Sequence, residues 1–298
     1  MRLSDLCQAV SGAELRGCDV DVAAVAYHTK DVVPGALFVA LRGLRTDGHF
    51  FLKEAADKGA VAAVVSTPNC EGWPVDRPLV VVPDTRKALA MMAVRFYGDP
   101  SSRLKVYGVT GTNGKTTTAF LIQSIMSAAG VKTGVIGTLG CRIGNRVIET
   151  DRTTPESLDL QRILSDLLRV GAEAVAVEVS SHALALGRTL GCRFAGAVFT
   201  NLTQDHLDFH PSIEEYFRAK SLLFTEHAAP AGENFVSAIC VDSDWGRRLS
   251  KAALGRVVTF GLSPEAEVRA ENADYSTNGT SFRLVSPYGS RDVRLKLI

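Results

Sequence analysis

The sequence has 298 residues, with 33 Lys and Arg against 32 Asp and Glu, so its formal net charge is +1. At about 150 residues per domain, this length predicts two domains, each large enough to bury its own core. Hydrophobic residues make up 46% of the chain and charged residues 22%. These proportions exclude a disordered chain, and the balanced charge excludes a basic nucleic-acid-binding protein.

Membrane and export signals are missing from the sequence. No apolar run approaches the roughly 18 residues that a transmembrane helix needs, and the first residues lack the apolar stretch of a signal peptide. The six cysteines lie far apart and none forms a CxxC pair. This spacing disfavours zinc-ribbon and disulfide scaffolds and predicts reduced thiols, so we expect a cytoplasmic protein.

The first hundred residues alternate short apolar runs with amphipathic segments. Apolar runs at 36–41, 61–65 and 79–82 predict strands that are buried on both faces. Helical spacing of apolar residues predicts helices at 51–58 and 85–97. This alternation is typical of a small α/β domain.

A cluster of turn-forming residues at 98–102 predicts a boundary between two domains, 1–100 and 101–298. Beyond it, strands and helices alternate again, which predicts βαβ units and a mostly parallel, doubly wound sheet. The predicted strands are 105–109, 133–136, 174–179, 195–200 and 238–241, and the predicted helices are 115–129 and 156–170. Hairpin signals within 267–297 predict antiparallel strands added to one edge.

A glycine-rich loop joins the first strand of the second domain to its first helix. The loop consists of Gly111, Thr112, Asn113, Gly114, Lys115, Thr116 and Thr117. In a phosphate-binding loop, Lys115 would contact the β- and γ-phosphates and Thr116 would bind Mg²⁺. The longer form of this motif has glycine where the chain has Val109, so the loop is the shorter GxxGK[ST] form. Its position between a strand and a helix favours nucleotide binding over a helix-capping loop with a chance lysine.

Two further predicted strands lead into polar side chains, where ligands bind to open α/β sheets. Glu178 lies where a magnesium ligand is expected, although an exposed glutamate at a strand end would give the same pattern. After the next strand come Asp205, His206, Asp208 and His210. Histidines also pack loops, but one beside two aspartates favours a metal or nucleotide role. Without a thiolate nearby, magnesium is favoured over zinc.

A helix predicted from Ile213 carries an anomalous lysine. Ser212 followed by Glu215 forms a capping box, which predicts where this helix begins. Apolar residues at helical spacing mark one face of the helix, and Lys220 falls on that same face. Burying an unpaired ammonium group is unfavourable, so Lys220 either extends outward to solvent, meets an anion or is modified.

Several motifs together carry a resemblance to a known family. They are the loop 111–117, Thr153-Thr154-Pro155, Glu178-Val179-Ser180-Ser181-His182, the run 200–208 and Tyr216-Phe217-Arg218-Ala219-Lys220. In this order they resemble the Mur ligases, which build peptidoglycan precursors. The Thr-Thr-Pro and Asp-His-Leu-Asp elements resemble the branch that adds the third residue of the stem peptide. The resemblance covers nearly all of the chain and is strongest between residues 107 and 224.

The resemblance implies three domains: an N-terminal UDP-binding domain at 1–100, a central ATPase domain at 101–298, and a C-terminal amino-acid-binding domain that this sequence does not include. It implies that the loop 111–117 binds ATP, with Lys115 catalytic. Thr116, Glu178 and His206 would be Mg²⁺ ligands, with His206 also catalytic. Lys220 would be carbamylated and would bind a second Mg²⁺ in catalysis, which explains a lysine on an apolar face.

Substrate contacts are implied in both domains. Thr153, Thr154, Ser180 and Arg188 would contact the muramoyl-dipeptide, although Thr154 could instead cap the helix after Pro155. In the first domain, the segment 28–40 resembles the uridine-contacting segment of the family. Thr29 would supply its hydroxyl there, whereas Lys30 stands in place of the family's arginine and is not equivalent to it at a bidentate site.

The implied reaction uses ATP to activate the D-glutamyl carboxylate of UDP-N-acetylmuramoyl-L-alanyl-D-glutamate, which then accepts a diamino acid, either L-lysine or meso-diaminopimelate. The implied protein is a cytoplasmic monomer with no nucleic-acid partner. Two alternatives remain open at this point. One is a truncated or non-catalytic module that binds nucleotide and UDP-sugar. The other is a ligase like folylpolyglutamate synthetase, which shares the phosphate loop.

Overall fold

The computed structural model describes residues 1–43, 46–68, 70–144, 146–150, 152–205 and 208–296. Contacts between residues divide the chain into two units. The first unit comprises Met1–Leu104, Pro155–Gly171 and Ala185–Cys192, and the second comprises Lys105–Thr154, Ala172–Leu184 and Arg193–Ile298. The assignment of a UDP-binding domain to 1–100 and of an ATPase domain to 101–298 stays a prediction.

Helices and strands alternate along most of the described chain. The helices are α1 (Leu3–Cys7), α2 (Leu52–Asp57), α3 (Thr85–Tyr97), α4 (Lys115–Ala128), α5 (Ser157–Arg169), α6 (Ser181–Ala185), α7 (Ile213–Ser221) and α8 (Asp244–Ala252). The strands of the first unit are β1 (Glu14–Arg16), β2 (Ala24–Ala26), β3 (Ala36–Val39), β4 (Ala62–Val65) and β5 (Leu79–Val81). Those of the second unit are β6 (Lys105–Thr110), β7 (Thr133–Gly137), β8 (Gly140–Ile143), β9 (Arg146–Ile148), β10 (Ala174–Glu178), β11 (Phe194–Phe199), β12 (Val236–Cys240), β13 (Arg256–Gly261), β14 (Val268–Ser276), β15 (Gly279–Ser286) and β16 (Gly289–Leu295).

The first unit is built on a sheet in the order β1-β5-β4-β3-β2. The strands β2 to β5 are parallel, and β1 pairs antiparallel with β5 at one edge. Every residue of β3 and β4 is buried, as their Ala- and Val-rich sequences predict. One hydrophobic cluster contains Leu6 of α1, Leu89 of α3 and Leu158 of α5, and a second contains Leu52 of α2. The sheet is therefore covered by helices on both faces.

The second unit is built on a sheet in the order β16-β15-β14-β13-β12-β11-β6-β10-β7-β8-β9. Neighbouring strands from β14 to β7 are parallel. The outermost strands at both edges are antiparallel. The predicted α/β class, with a mostly parallel sheet and an antiparallel tail, is confirmed. The antiparallel strands β8 and β9 at the opposite edge were not predicted.

The order of the central strands places the candidate site. β6 lies between β10 and β11 and is parallel to both. The carboxyl ends of these three strands therefore lie side by side, and each leads into polar residues. This is the edge at which open α/β sheets bind ligands.

The capping residues show where two of the predicted helices begin. Ser212 caps α7 and accepts a hydrogen bond from the Glu215 N–H at 3.2 Å, as the capping box predicts. The N-cap of α5 is Glu156, which has extended backbone angles (φ −65°, ψ 156°). The helix predicted at 156–170 therefore begins one residue later, and Pro155 precedes its N-cap and lies outside its first turn.

The six cysteines all lie within the described residues and are free thiols. Cys192 is buried, and burial raises the pKa of its thiol to about 12. Within the described ranges, no helix is both long enough and apolar enough to cross a membrane.

Candidate active site

The phosphate loop depends on two glycines with backbone conformations that other residues rarely adopt. Gly111 directly follows β6 with φ of 147°, and a Cβ there would collide with the Thr200 hydroxyl. Gly114 has φ of 84° and is the N-cap residue of α4. These conformations turn the chain from β6 into α4 and bring the loop to the positive end of the helix dipole. The loop is thus suited to bind an anion.

The segment after β11 holds the loop from the other side. The Asn113 N–H donates to the Asn201 side-chain oxygen at 2.9 Å, and the Thr112 N–H donates to the Asn201 carbonyl oxygen at 3.0 Å. The Thr200 hydroxyl donates to the Asn113 carbonyl oxygen at 2.6 Å. Because β11 is next to β6 in the sheet, the Thr-Asn pair that follows it can position the loop.

Glu178 ends β10 beside the loop, with only 1% of its surface exposed. One carboxylate oxygen accepts hydrogen bonds from the Thr116 hydroxyl at 2.9 Å and the Thr138 hydroxyl at 3.3 Å. The other accepts the Thr138 N–H at 3.0 Å. Gly137 leaves space for the carboxylate, since a Cβ there would collide with it. The alternative of an exposed glutamate at the strand end is therefore excluded.

Lys115 and Lys220 reach the same peptide group of the loop from different helices. The Lys115 Nζ donates to the carbonyl oxygens of Gly111 at 2.9 Å and Thr112 at 2.8 Å. The Lys220 Nζ donates to the Gly111 carbonyl oxygen at 2.8 Å and lies 4.5 Å from the centre of the Tyr216 ring. Lys220 is 1% exposed, so it does not extend outward to solvent.

Burial changes the protonation of both lysines. Burial, with the nearby positive charge of Lys115, lowers the pKa of Lys220 to about 7, against the opposing attraction of Asp205. Burial also lowers the pKa of Lys115, while attraction to Glu178 and Asp205 opposes that shift. A lysine with a pKa near 7 is partly neutral at physiological pH, and the neutral amine is its nucleophilic form.

Hydroxyl groups form another wall of the site. The Thr154 hydroxyl donates to the Glu178 carbonyl oxygen at 2.9 Å and accepts the Ser180 N–H at 3.0 Å, and Thr154 is 1% exposed. Thr154 therefore joins two backbone segments and does not cap α5, the alternative considered from the sequence. The hydroxyl oxygens of Thr153 and Thr138 are 3.1 Å apart, which links this wall to Glu178.

These groups surround a cavity of about 390 Å³ in the second unit. The residues that line it are Thr112, Asn113, Gly114, Lys115, Thr116, Thr117, Thr138, Thr153, Glu178, Ser180, Ser181 and Lys220. The phosphate loop, the strand-end carboxylate and the buried lysine, each chosen from the sequence for a separate reason, thus face one space. Such a polar cavity beside a helix N-terminus can bind a phosphate group and a cation together.

Five predicted site residues are not among those lining residues. Two of them, Gly111 and Thr154, are bonded to groups of the site as described above. Arg188 belongs to the first unit, where its Nε is 3.6 Å from a Glu156 carboxylate oxygen. Thr29 also belongs to the first unit, and its carbonyl oxygen accepts a hydrogen bond from the Lys58 Nζ at 3.0 Å. His206 lies outside the described residues. The roles of these residues at the site stay predictions.

The structure also adds residues to which the sequence analysis gave no role. Thr138 follows β7 and donates twice to Glu178. The rule that polar residues after strand ends form sites would have identified it, because a strand was predicted at 133–136. Asn201 and Tyr216 lie within motifs of the family resemblance, but their contacts with the loop depend on tertiary structure.

The donor atoms at the cavity suit Mg²⁺, which prefers oxygen ligands. The Thr116 hydroxyl and the Glu178 carboxylate are 2.9 Å apart and face the same cavity. In the part of the chain that the structure describes, no three His, Cys, Asp or Glu side chains form a metal cluster by themselves. The oxygens of a phosphate group bound at the loop can supply further ligands to a divalent cation.

Comparison with known proteins gives relatives over the whole chain. A UDP-N-acetylmuramoyl-L-alanyl-D-glutamate–2,6-diaminopimelate ligase of Geobacter metallireducens is 43% identical over 100% of this chain and 58% of its own length. A solved structure of a ligase with the same name covers 93% of this chain and 56% of its own, with TM-score 0.79 and 31% identity. The chain thus spans less than two thirds of the length of these relatives.

A folylpolyglutamate synthase of Mycobacterium tuberculosis, solved with ADP and AMPPCP, shares the fold more distantly. It covers 72% of this chain and 54% of its own, with TM-score 0.57 and 17% identity. Identity is much higher to the diaminopimelate ligases than to this enzyme. Residues 21–97 match the Mur ligase family, catalytic domain. Residues 109–298, well over half of the sequence, match the Mur ligase middle domain, so this chain belongs to the Mur ligase family.

Proposed function

We propose that the protein carrying this chain is an ATP-dependent, ADP-forming ligase that adds 2,6-diaminopimelate to UDP-N-acetylmuramoyl-L-alanyl-D-glutamate in the cytoplasm. The single observation that carries this proposal is the cavity in which the phosphate loop, Glu178 and Lys220 meet. The choice of diaminopimelate over L-lysine is supported by the names of the relatives at 43% identity. The proposal makes this chain a member of the tripeptide-forming branch.

The phosphate loop would bind the triphosphate of ATP. The N-terminus of α4 and the ammonium group of Lys115 supply positive charge where the β- and γ-phosphates would lie. Lys115 now bonds to two loop carbonyl oxygens, and it would exchange these neutral partners for phosphate oxygens. Charge-assisted hydrogen bonds to phosphate are stronger than those to a carbonyl group, so this exchange favours binding.

The reaction would proceed in two displacements. An oxygen of the D-glutamyl carboxylate attacks the γ-phosphorus, the bond to the β-phosphate oxygen breaks, and ADP leaves with that electron pair. The amine of the diamino acid then attacks the acyl carbon, phosphate leaves, and the nitrogen loses a proton as the amide forms. Positive groups fixed around the phosphates, such as Lys115, stabilise the charge that develops in the first step.

Magnesium is the cofactor in this proposal. Thr116, Glu178 and His206 would hold one ion, and Lys220 would hold a second through a carbamate on Nζ. The ions would screen the negative charge of the phosphates. The burial of Lys220 and its lowered pKa support the carbamate, because only the neutral amine can form one.

The muramoyl-dipeptide would contact the residues that the family resemblance implies. Thr153 and Ser180 line the cavity and would contact the substrate directly. Thr154 would act by holding Ser180, to whose N–H it is bonded at 3.0 Å. Arg188 would bind an anionic group of the substrate, and Thr29 would contact the uridine.

An assay of ADP release tests the proposal. The gene product that carries this sequence is supplied with ATP, Mg²⁺ and UDP-N-acetylmuramoyl-L-alanyl-D-glutamate, with either meso-diaminopimelate or L-lysine. We expect ADP release that depends on both the nucleotide sugar and meso-diaminopimelate, with L-lysine a poor substitute. A protein that binds nucleotide but releases no ADP with either amino acid would support the non-catalytic alternative instead.

A further inference from the structure

Tyr216 is a buried residue that touches both the phosphate loop and Lys220. It lies on α7 one turn before Lys220, so the two side chains are on the same face of the helix. Its surface is fully buried, with 0% exposed. The Lys220 Nζ lies over its ring, 4.5 Å from the ring centre. The ring face is electron-rich and attracts a cation in that position.

The hydroxyl group of Tyr216 contacts a different element. Tyr216 Oη lies 3.2 Å from Thr112 Oγ1, within hydrogen-bond distance. The Thr112 hydroxyl also accepts the Thr203 N–H at 3.0 Å, and it lies 3.3 Å from the Thr203 carbonyl oxygen, to which it donates. Thr112 is thus the point at which α7, the loop and the segment after β11 are joined by hydrogen bonds.

The contacts of Tyr216 with Lys220 and with Thr112 meet at one peptide group. Lys220 donates to the Gly111 carbonyl oxygen, and the next residue of the loop is Thr112. Lys115 donates to the same carbonyl oxygen, so two positively charged groups approach one acceptor. While Lys220 is protonated, before a carbamate forms on it, their mutual repulsion would separate them unless other groups hold them in place. The Tyr216 ring holds one lysine, and the Tyr216 hydroxyl holds the loop that carries the shared acceptor.

We propose that Tyr216 is a positioning residue, which holds the phosphate loop through Thr112 and Lys220 through its ring, in a single arrangement. Tyr216 is not among the residues that line the cavity, so it acts through these two neighbours. The inference rests on the proposed function, since the ligand of the loop is taken to be ATP. The Tyr216 side chain then has two separate roles. Its hydroxyl group, through Thr112, sets the affinity for nucleotide, and its ring, through Lys220, sets the rate of turnover.

Nucleotide binding tests the role of the hydroxyl. The dissociation constant of a non-hydrolysable ATP analogue with Mg²⁺ is measured by calorimetry for the wild type and for Tyr216→Phe. Loss of one hydrogen bond predicts binding that is weaker by about two- to tenfold. The matched control is Tyr27→Phe, which removes a tyrosine hydroxyl bonded to Asp159 at 2.6 Å within the first unit. This control should bind the nucleotide as tightly as the wild type.

A double-mutant cycle shows whether the hydroxyl acts through Thr112. Thr112→Val removes the partner hydroxyl, whereas Thr112→Ser retains it and should restore most of the affinity. If the contact carries the effect, Tyr216→Phe adds nothing to Thr112→Val, because the bond is already lost. Additive losses in the double variant would overturn the coupling.

Turnover tests the role of the ring. Tyr216→Phe keeps the ring beside Lys220, so it should raise KM for ATP and leave kcat near the wild-type value. Tyr216→Leu removes the ring and should lower kcat as well, and a melting curve checks that this variant is folded. Wild-type nucleotide affinity in Tyr216→Phe, or equal kcat in the two variants, would overturn the inference alone. Failure of the wild type to bind any nucleotide would overturn it together with the proposed function.

Discussion

Buried charged side chains have different kinds of partner in the two units. In the first unit, the Glu156 carboxylate is 5% exposed and lies 3.3 Å from Arg86 and 3.6 Å from Arg188, so opposite charges meet. In the second unit, Glu178 accepts hydrogen bonds from two threonines. The buried Lys220 donates to a carbonyl oxygen. Charges that neutralise each other support a fold, whereas charges held by neutral dipoles keep their attraction for a ligand.

The largest expected effect comes from the charge that would meet the phosphates. Lys115→Ala should reduce ATP-dependent ligation by at least about 10²-fold, since a fixed positive group is lost where negative charge develops. Nucleotide affinity should fall as well. Steady-state ADP release and calorimetry measure the two effects. Lys105→Ala, an exposed lysine at the start of β6, is the matched control and should retain activity. Undiminished turnover in Lys115→Ala would refute the assignment of this loop.

The next effect concerns the chemical state of Lys220. Lys220→Ala should lose most ligase activity, because the proposed carbamate is lost with the side chain. Short carboxylic acids such as formate or acetate fit the vacated space and supply a carboxylate, so they should restore part of the activity. The same acids should have no effect on Lys115→Ala. If no acid restores any activity to Lys220→Ala, the carbamate is contradicted while the role of the phosphate loop stands.

The first unit should respond in stability and not in nucleotide binding. Glu156→Gln removes the carboxylate that faces Arg86 and Arg188, and loss of one partner of a buried pair typically lowers the free energy of unfolding by about 3 kcal/mol. Glu54→Gln is the matched control, because Glu54 pairs with Lys58 at 2.8 Å on the exposed surface and should contribute much less. Urea unfolding measures the free energy of unfolding of both variants. Equal stability of the two variants would remove the contrast between the units.

Much of the site could be predicted because its signals are local in the sequence. The phosphate loop is identified by glycine and lysine spacing, and Glu178 by its place at the end of an apolar strand. Lys220 was identified by helical spacing, which placed a lysine among apolar residues on α7. In the structure, residues of the loop, Glu178 and Lys220 line one cavity. The strand-end rule works because parallel strands bring their carboxyl ends to the same edge of the sheet.

The features of the site and the fold that could not be predicted depend on contacts between residues that are distant in the sequence. Thr138 bonds to Glu178, 40 residues away, and no local pattern encodes that pairing. The contact between Tyr216 and Thr112 spans 104 residues. The assignment of α5 to the first unit follows from its packing on α3, which its own amphipathic pattern does not specify. Local pattern indicates that a helix has an apolar face, but it does not indicate which surface covers that face.

The last prediction is a pH dependence that distinguishes the buried lysine of the second unit from the ion pairs of the first. The pKa of Lys220 is lowered by burial from 10.5 to about 7. Between these values the unfolded chain holds more protons than the folded chain, so stability rises with pH, by at most about 1.4 kcal/mol per pH unit. The cost of burying the charge is fully present below pH 7 and is relieved as pH rises towards 10.5.

Lys220→Met should therefore flatten the rise in unfolding free energy between pH 7 and pH 10, measured by urea unfolding in buffers free of carbon dioxide so that the amine stays unmodified. Lys58→Met is the matched control, because Lys58 is exposed and paired with Glu54, and it should leave the slope unchanged. If the slope of Lys220→Met equals that of the wild type, Lys220 is not a buried amine with a lowered pKa in solution. The contrast between the two units would then rest on Glu178 alone, whose carboxylate is held by hydroxyl and amide donors.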